Sequence, residues 1–352
     1  MTTKQVVFSA CVLLLLVVNG MQSDVVVECR PHPEHGHRNN KDRMLFVFGD
    51  SFVDAGNRPP SQTGPQWSYP YGISDSAHHK NPTGRFSDGL VQSDFLARIL
   101  GRGDESPPPS RLREANKVDP AGVNFAMAGS GALVASPGED SSSLATQVAQ
   151  FRRLVKHGIV DDKDLDDSVA LIAFSGLRDY RSVTVTTSND QMKALVEQVT
   201  DAIVDSVKEL QDSQGVSKVV VNSLPPIGCQ PFRASMYNYA HCDGLGNTLS
   251  DMHNAALRRK LDALQLQDDV MVLDIHAAFA DVVRNNYEPC CAETSGTGDG
   301  FCGQVDGNGN ALYTLCADPA NFFYWDAMHP TQAAWEAVMG NLQPDIQDFL
   351  GI

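Results

Sequence analysis

The chain has 352 residues, 42% of them hydrophobic, and sets 27 Lys and Arg against 43 Asp and Glu for a formal net charge of −16. That much apolar material can fill a sizeable core. The acidity excludes nucleic acid and anionic membrane surfaces as main partners, because no basic patch can dominate such a field.

The first element is a targeting segment. Lys4 supplies a positive start, Val6 to Val18 is apolar except for Ser9, and Val18-Asn19-Gly20 ends on a small residue. The apolar run is too short for a membrane span, which needs about twenty residues. Residues 1–23 therefore read as a cleavable signal peptide, and the mature chain as secreted. Residues 24–42 are polar and carry His32, His35 and His37. With no fixed geometry nearby they read as a flexible, solvated leader rather than a metal tract. The rest, 43–352, reads as one domain.

Short, nearly continuous hydrophobic runs follow at 44–48, 122–126, 168–174, 217–222 and 269–274. Such runs suit parallel strands covered on both faces. Helix-period segments lie between and after them at 89–100, 142–156, 190–213, 247–265 and 331–349, with Asp190 expected to open the third and Pro330 to sit in the first turn of the last. The alternation predicts a three-layer α/β/α domain with a five-stranded parallel sheet. Residues 57–88 and 285–325 are rich in Gly, Pro, Ser and Asn and read as long loops shaping access to the sheet. Aromatics in these loops or near His329 include Trp67, Tyr69, Tyr71, Phe322, Phe323, Tyr324 and Trp325. They suit either an acyl or sugar pocket or the core of the loops.

Once the signal is removed seven cysteines remain, with Cys29 apart and Cys229, Cys242, Cys290, Cys291, Cys302 and Cys316 in the last third. In a secreted chain this clustering means disulfides. Cys229 with Cys242 is one expected pair, and the other four form two more of open connectivity. No paired C-x-x-C spacing favours zinc. No G-x-G-x-x-G between a strand and a helix favours a nucleotide or flavin. Neither a metal nor a cofactor is expected.

The chemistry gathers around Phe48-Gly49-Asp50-Ser51, with Asp54 and Gly56-Asn57 behind it. A serine where a parallel strand breaks into a turn, with a helix expected next, projects into the crevice where ligands bind in open α/β sheets. A serine hydroxyl needs a base to become a nucleophile. His329 is the candidate base, in Asp326-Ala327-Met328-His329-Pro330, and Asp326 three residues earlier can accept from its imidazole and fix the tautomer. Ester cleavage also needs donors waiting for the developing oxyanion. Ser51 offers its own N–H, and the second is expected from Asn124-Phe125-Ala126-Met127-Ala128-Gly129-Ser130-Gly131, where glycine lets backbone approach a ligand.

These blocks, in this order, resemble the plant-type GDSL esterases and lipases of the SGNH hydrolase superfamily. The likeness also rests on Gly84-Arg85-Phe86-Ser87-Asp88-Gly89, Leu224-Pro225-Pro226-Ile227-Gly228-Cys229 and the Cys290-Cys291 pair. It spans nearly the whole mature chain. The resemblance implies a flavodoxin-like fold, secretion to the extracellular space or cell wall, and hydrolysis of carboxylic esters, lipid or acylated carbohydrate, without a metal. It implies Ser51 as nucleophile, His329 as base, Asp326 as its orienter, and the N–H groups of Ser51 and Gly129 as oxyanion donors.

One block departs from the family. Where the pattern has Gly-x-Asn-Asp, this chain reads Ser175-Gly176-Leu177-Arg178-Asp179-Tyr180. Arg178 stands where the third oxyanion donor, an asparagine, belongs. A modified oxyanion hole with reduced activity is expected, with Asn222 as a second possible amide donor, or else Arg178 turned to solvent or paired with Asp50 or Asp54. The alternatives to hydrolysis are acyl transfer on the same triad and an impaired relative that binds an acylated ligand or a protein partner.

Overall fold

The computed structural model describes residues 43–60, 64–133, 142–284, 286–294 and 301–352, all within one compact unit, Asn39–Ile352. The segments expected as signal peptide and leader, with Cys29, lie outside the described residues.

Strand β1 (Met44–Gly49) opens the unit, followed by α1 (Gln92–Ile99), β2 (Gly122–Asn124) and α2 (Leu144–Lys156). A single turn, α3 (Asp162–Leu165), leads into β3 (Ser168–Ala173), then another, α4 (Leu177–Tyr180), and the long α5 (Asn189–Lys208). Next come β4 (Lys218–Asn222), α6 (Pro231–Ala234), α7 (Gly244–Asp262), β5 (Val270–Leu273) and α8 (Ile275–Val283). A small ribbon, β6 (Cys291–Glu293) with β7 (Tyr313–Leu315), precedes the last helix, α9 (Gln332–Leu350).

β1 to β5 form one parallel sheet in the order β2-β1-β3-β4-β5. This is the flavodoxin-like order, whose reversal at β1/β3 opens the crevice beyond the strands' carboxyl ends. Alternation along β1 divides the core. Phe46 and Phe48 face the layer of α2, α5 and α7, while Leu45 and Val47 face that of α1, α8 and α9. Phe48 stacks on Phe125 at 5.3 Å and Phe46 meets Phe151 at 4.6 Å between ring centroids. Truncating such a phenylalanine costs about 3–5 kcal/mol, so these strands are strongly pinned.

Several expectations are corrected. No helix follows Ser51 directly; residues 50–53 make a turn and the first full helix waits until Gln92. α5 starts after Ser188, not at Asp190, because Ser188 and Gln191 bond reciprocally in a capping box. Pro330 lies ahead of α9, whose cap is Thr331 accepting from the Ala334 N–H. The stretch 285–325 is not all loop, since it holds the β6–β7 ribbon. α8 was not anticipated; Asp274 caps it by accepting the Ala277 N–H.

The disulfides are Cys229–Cys242, Cys290–Cys316 and Cys291–Cys302. The first was expected, and the other two resolve the open connectivity. Among the described residues no helix is long and apolar enough to cross a membrane, and no group of three or more His, Cys, Asp or Glu could hold a metal ion.

Candidate active site

Three neighbouring strand ends build one wall of a cleft. β1 ends at Gly49, where an added Cβ would lie 1.9 Å from the Ala173 carbonyl oxygen of β3 and φ is +152°. Only glycine lets the two strands approach this closely. Gln147 of α2 clamps the same residue, accepting from the Gly49 N–H at 2.8 Å and donating to its carbonyl at 2.9 Å. The chain then turns through Asp50 and Ser51.

Buried carboxylates hold the turns around Ser51. Asp50 accepts from the Phe52 N–H at 3.1 Å and, through its other oxygen, from the Ser175 N–H at 2.8 Å and hydroxyl at 2.6 Å. Asp54 accepts from the Gly56 N–H at 2.7 Å, the Asn57 N–H at 2.6 Å and the Ala128 N–H at 2.8 Å. Asp179 accepts from the N–H groups of Ala132 and Leu133 at 2.8 and 3.0 Å. The Gly129 turn is thus fixed on both flanks by acids from two other segments, the turn after β1 and α4. Gly129 itself has φ +87°, a conformation glycine takes without strain.

The opposite wall is the segment from Tyr324 to Pro330. It is strapped to the cysteine ribbon, since the Cys290 N–H donates to the Tyr324 carbonyl at 2.9 Å and the Cys291 N–H to that of Trp325 at 2.7 Å. Asp326 Oδ1 accepts from the N–H groups of Met328 and His329 at 2.9 and 2.8 Å. Both its oxygens lie 2.8 Å from His329 Nδ1, and His329 Nε2 lies 2.8 Å from Ser51 Oγ. With the Nδ1 proton directed at the carboxylate, Nε2 is left to accept from the serine hydroxyl. Phe86 covers the imidazole at 4.8 Å between ring centroids.

Two carboxylates near Ser51 titrate in opposite directions. Burial pushes Asp50 from 3.8 up to about 6, although Ser175 and Phe52 donate to it and the His329 charge pulls the other way. Burial also raises Asp326, but the His329 imidazole and the hydrogen bonds from His329 and Met328 outweigh it, so this carboxyl sits below its ordinary range. An ionised Asp326 against the imidazole is the arrangement that steadies an imidazolium.

Between the walls lies a cavity of about 250 Å³, lined among others by Ser51, Phe86, Gly129, Arg178, Met328 and His329. The structure therefore gathers all five residues singled out from the sequence: four line the cavity, and Asp326 stands behind His329. Arg178 lines the cavity, and Asp54 also accepts from the Arg58 N–H. Asn222 does not reach the cleft. Its amide is spent on Gln92 of α1, in bonds of 2.7 and 3.0 Å.

Most of the loop aromatics are structural. Trp67 donates to the Arg58 carbonyl, Phe323, Tyr324 and Trp325 are buried in the core clusters, and Tyr69 is exposed. The aromatic rings lining the cavity, Phe52 and Phe86, were missed as site residues. So were the anchoring roles of Asp54 and Asp179. The run Asp54-Ala55-Gly56-Asn57 carried a signal for the first, since aspartate readily bonds the backbone two residues on.

The family model described as GDSL-like Lipase/Acylhydrolase matches residues 45–341. The chain belongs to this family. With that membership it is a carboxylic ester hydrolase, as its motif order implied. A GDSL esterase/lipase of Arabidopsis thaliana is 34% identical over 328 residues, 89% of this chain and 97% of the relative. A second from the same plant is 30% identical over 336 residues, 90% and 92% of the two chains. Among solved structures, the carbohydrate acetylesterase Est24 of Sinorhizobium meliloti aligns over 87% of this chain and 99% of its own, at 13% identity and a TM-score of 0.43.

Proposed function

We propose that this GDSL hydrolase cleaves carboxylic esters through Ser51, His329 and Asp326, with Ser51, Gly129 and Arg178 facing the oxyanion. The observation that carries the reading is the unbroken chain of contacts from Asp326 through His329 to Ser51, each at 2.8 Å, opening into a cavity. His329 Nε2 takes the hydroxyl proton as Ser51 Oγ bonds to the ester carbonyl carbon. The carbonyl oxygen becomes an oxyanion beside the Ser51 and Gly129 N–H groups. As the intermediate collapses, the C–O bond to the alcohol breaks and His329 returns the proton to the leaving oxygen. Water, deprotonated by the same imidazole, then releases the acid and restores Ser51.

Arg178 is longer than the family asparagine and carries a charge. Loss of one oxyanion donor costs about 10²–10³ in kcat, so the reading includes a reduced rate unless the guanidinium serves. The same substitution favours a second reading, an impaired relative that holds an acylated ligand without turning it over. The cavity, at about 250 Å³, falls under the ~300–1,000 Å³ of most small-molecule sites. That size supports short acyl groups, on a small alcohol or on a polymer, over long-chain lipids.

The proposal extends to residues 1–23 as signal peptide, 24–42 as leader, 43–352 as one hydrolase domain, and a secreted chain; the three disulfides suit an oxidising compartment. Hydrolysis of p-nitrophenyl acetate, butyrate and octanoate, with Ser51→Ala in parallel, tests the enzyme reading. Turnover lost in the mutant and falling with acyl length is the expected result. Folded protein with no turnover above the Ser51→Ala control overturns it in favour of binding.

A further inference from the structure

The segment before the Gly84 block contains a buried phenol with no place in the chemistry so far. Tyr71 is 2% exposed, and its hydroxyl donates to Asp326 Oδ2 at 2.8 Å. Its ring packs edge-on against Trp325 at 5.8 Å and Phe86 at 6.0 Å between centroids, and Phe86 is the ring that covers His329. Tyr71 therefore touches the acid by hydrogen bond and the base through one intervening ring, without lining the cavity.

The two oxygens of Asp326 are not served alike. Among the described residues, Oδ1 has two backbone N–H donors besides the imidazole, and Oδ2 has the Tyr71 hydroxyl besides the imidazole. We infer that Tyr71 is a positioning residue for the proposed Ser51–His329–Asp326 chain, and that its hydroxyl fixes the plane of the Asp326 carboxylate and takes up part of its charge. This inference rests on the proposed roles of those three residues. The hydroxyl stays protonated throughout the working range, because burial and the neighbouring Asp326 charge raise its pKa well above the ordinary phenol.

The direction of the effect follows from charge. With the phenol removed, more of the carboxylate's charge faces the imidazole and the imidazolium is stabilised. The other charged groups around His329 are Asp50 across the cleft and the guanidinium groups of Arg58, Arg178 and Arg181 along the cavity. Tyr71→Phe leaves all of them in place. It also keeps the ring and its contacts, whereas Tyr71→Leu removes both ring and hydroxyl.

The test reads His329 directly, by the pH titration of its ring signals in NMR on the full chain without substrate. In Tyr71→Phe the midpoint should move up by roughly half a pH unit or more. On p-nitrophenyl acetate kcat should fall about five- to tenfold with KM unchanged, and the acid limb of kcat/KM should move up with the titration. A Tyr71→Phe titration identical to wild type, with damage appearing only in Tyr71→Leu, overturns the inference and leaves Tyr71 a packing residue. Because the titration needs no turnover, a wild-type protein that hydrolyses nothing strikes at the proposed function and still decides this point.

Discussion

The two walls of the cleft reach similar rigidity by different means. The Ser51 wall is made of strand ends and turns tied by buried acids, with Asp50, Asp54 and Asp179 each accepting from backbone N–H groups of other turns or their own. The His329 wall has no long strand beneath it. It hangs on backbone bonds to Cys290 and Cys291, whose side chains are cross-linked to Cys316 and Cys302. Sheet geometry places the first wall and covalent closure the second. Their carboxylates differ accordingly. Asp50 is buried among neutral donors and holds its proton to about pH 6. Asp326 is buried against an imidazole and gives its proton up early. A buried carboxylate on one wall is thus suited to structure and the other to steadying positive charge, although both stand close to the same serine.

The sharpest way to separate them is at the acids. Asp326→Asn keeps the shape but removes the charge and reverses the preferred tautomer of His329. It should lower kcat by about 10⁴ with little change in KM, read in steady-state kinetics. The covalent wall comes next. Replacing Cys291 and Cys302 together by serine should cost about 2–5 kcal/mol. Turnover should then disappear at temperatures where far-UV circular dichroism still reports the parallel sheet. If turnover and sheet melt together, the two walls are one cooperative unit and the contrast is lost.

Asp50 gives a smaller effect with a definite sign. Its pKa is raised on folding, so its stabilising contribution is fully present below 3.8 and is lost as pH rises through about 6. The shift corresponds to about 3 kcal/mol at most. Asp326 works the other way, contributing above the ordinary carboxyl range and fading as the pH falls through its lowered value. Denaturant melts at intervals from pH 4 to 7 should show Asp50→Asn with a shallower downward slope than the wild type, the remainder coming from Asp54 and Asp88, whose carboxyls burial also raises. An unchanged slope would mean that Asp50 is ionised throughout. The smallest change expected is at Arg178. Restoring the family residue with Arg178→Asn should raise kcat, by less than the ~10²–10³ that a whole oxyanion donor is worth because the guanidinium supplies part of it, and a lower rate would identify the guanidinium as the working donor.

The two walls were also unequally legible in the sequence. The Ser51 wall could be read because its strands are buried on both faces. Their runs of Val, Leu, Ile and Phe have few other readings, and β1, β3, β4 and β5 appear within a residue or so of expectation. The His329 wall was legible as chemistry, through Asp326, His329 and the cysteines, but not as structure. A short pairing such as β6 with β7 leaves little hydrophobic pattern when disulfides replace much of the core. Asn222 misled because a strand end points toward the crevice, while Gln92, 130 residues away in sequence, decides where the amide goes. Tyr71 was visible only as an aromatic in a loop, since a phenol's partner in a distant segment leaves no local mark.

Gly49 sets a limit on how Ser51 can be repositioned. With the Ala173 oxygen 1.9 Å from any Cβ placed there, a library of all twenty residues at this position should return glycine alone among folded clones. The position of Ser51 is accordingly not adjustable from its own strand. Redesign of this hydrolase has to begin on the opposite wall, where the spacing between His329 and Ser51 depends on loop length and cross-links and leaves room for variation.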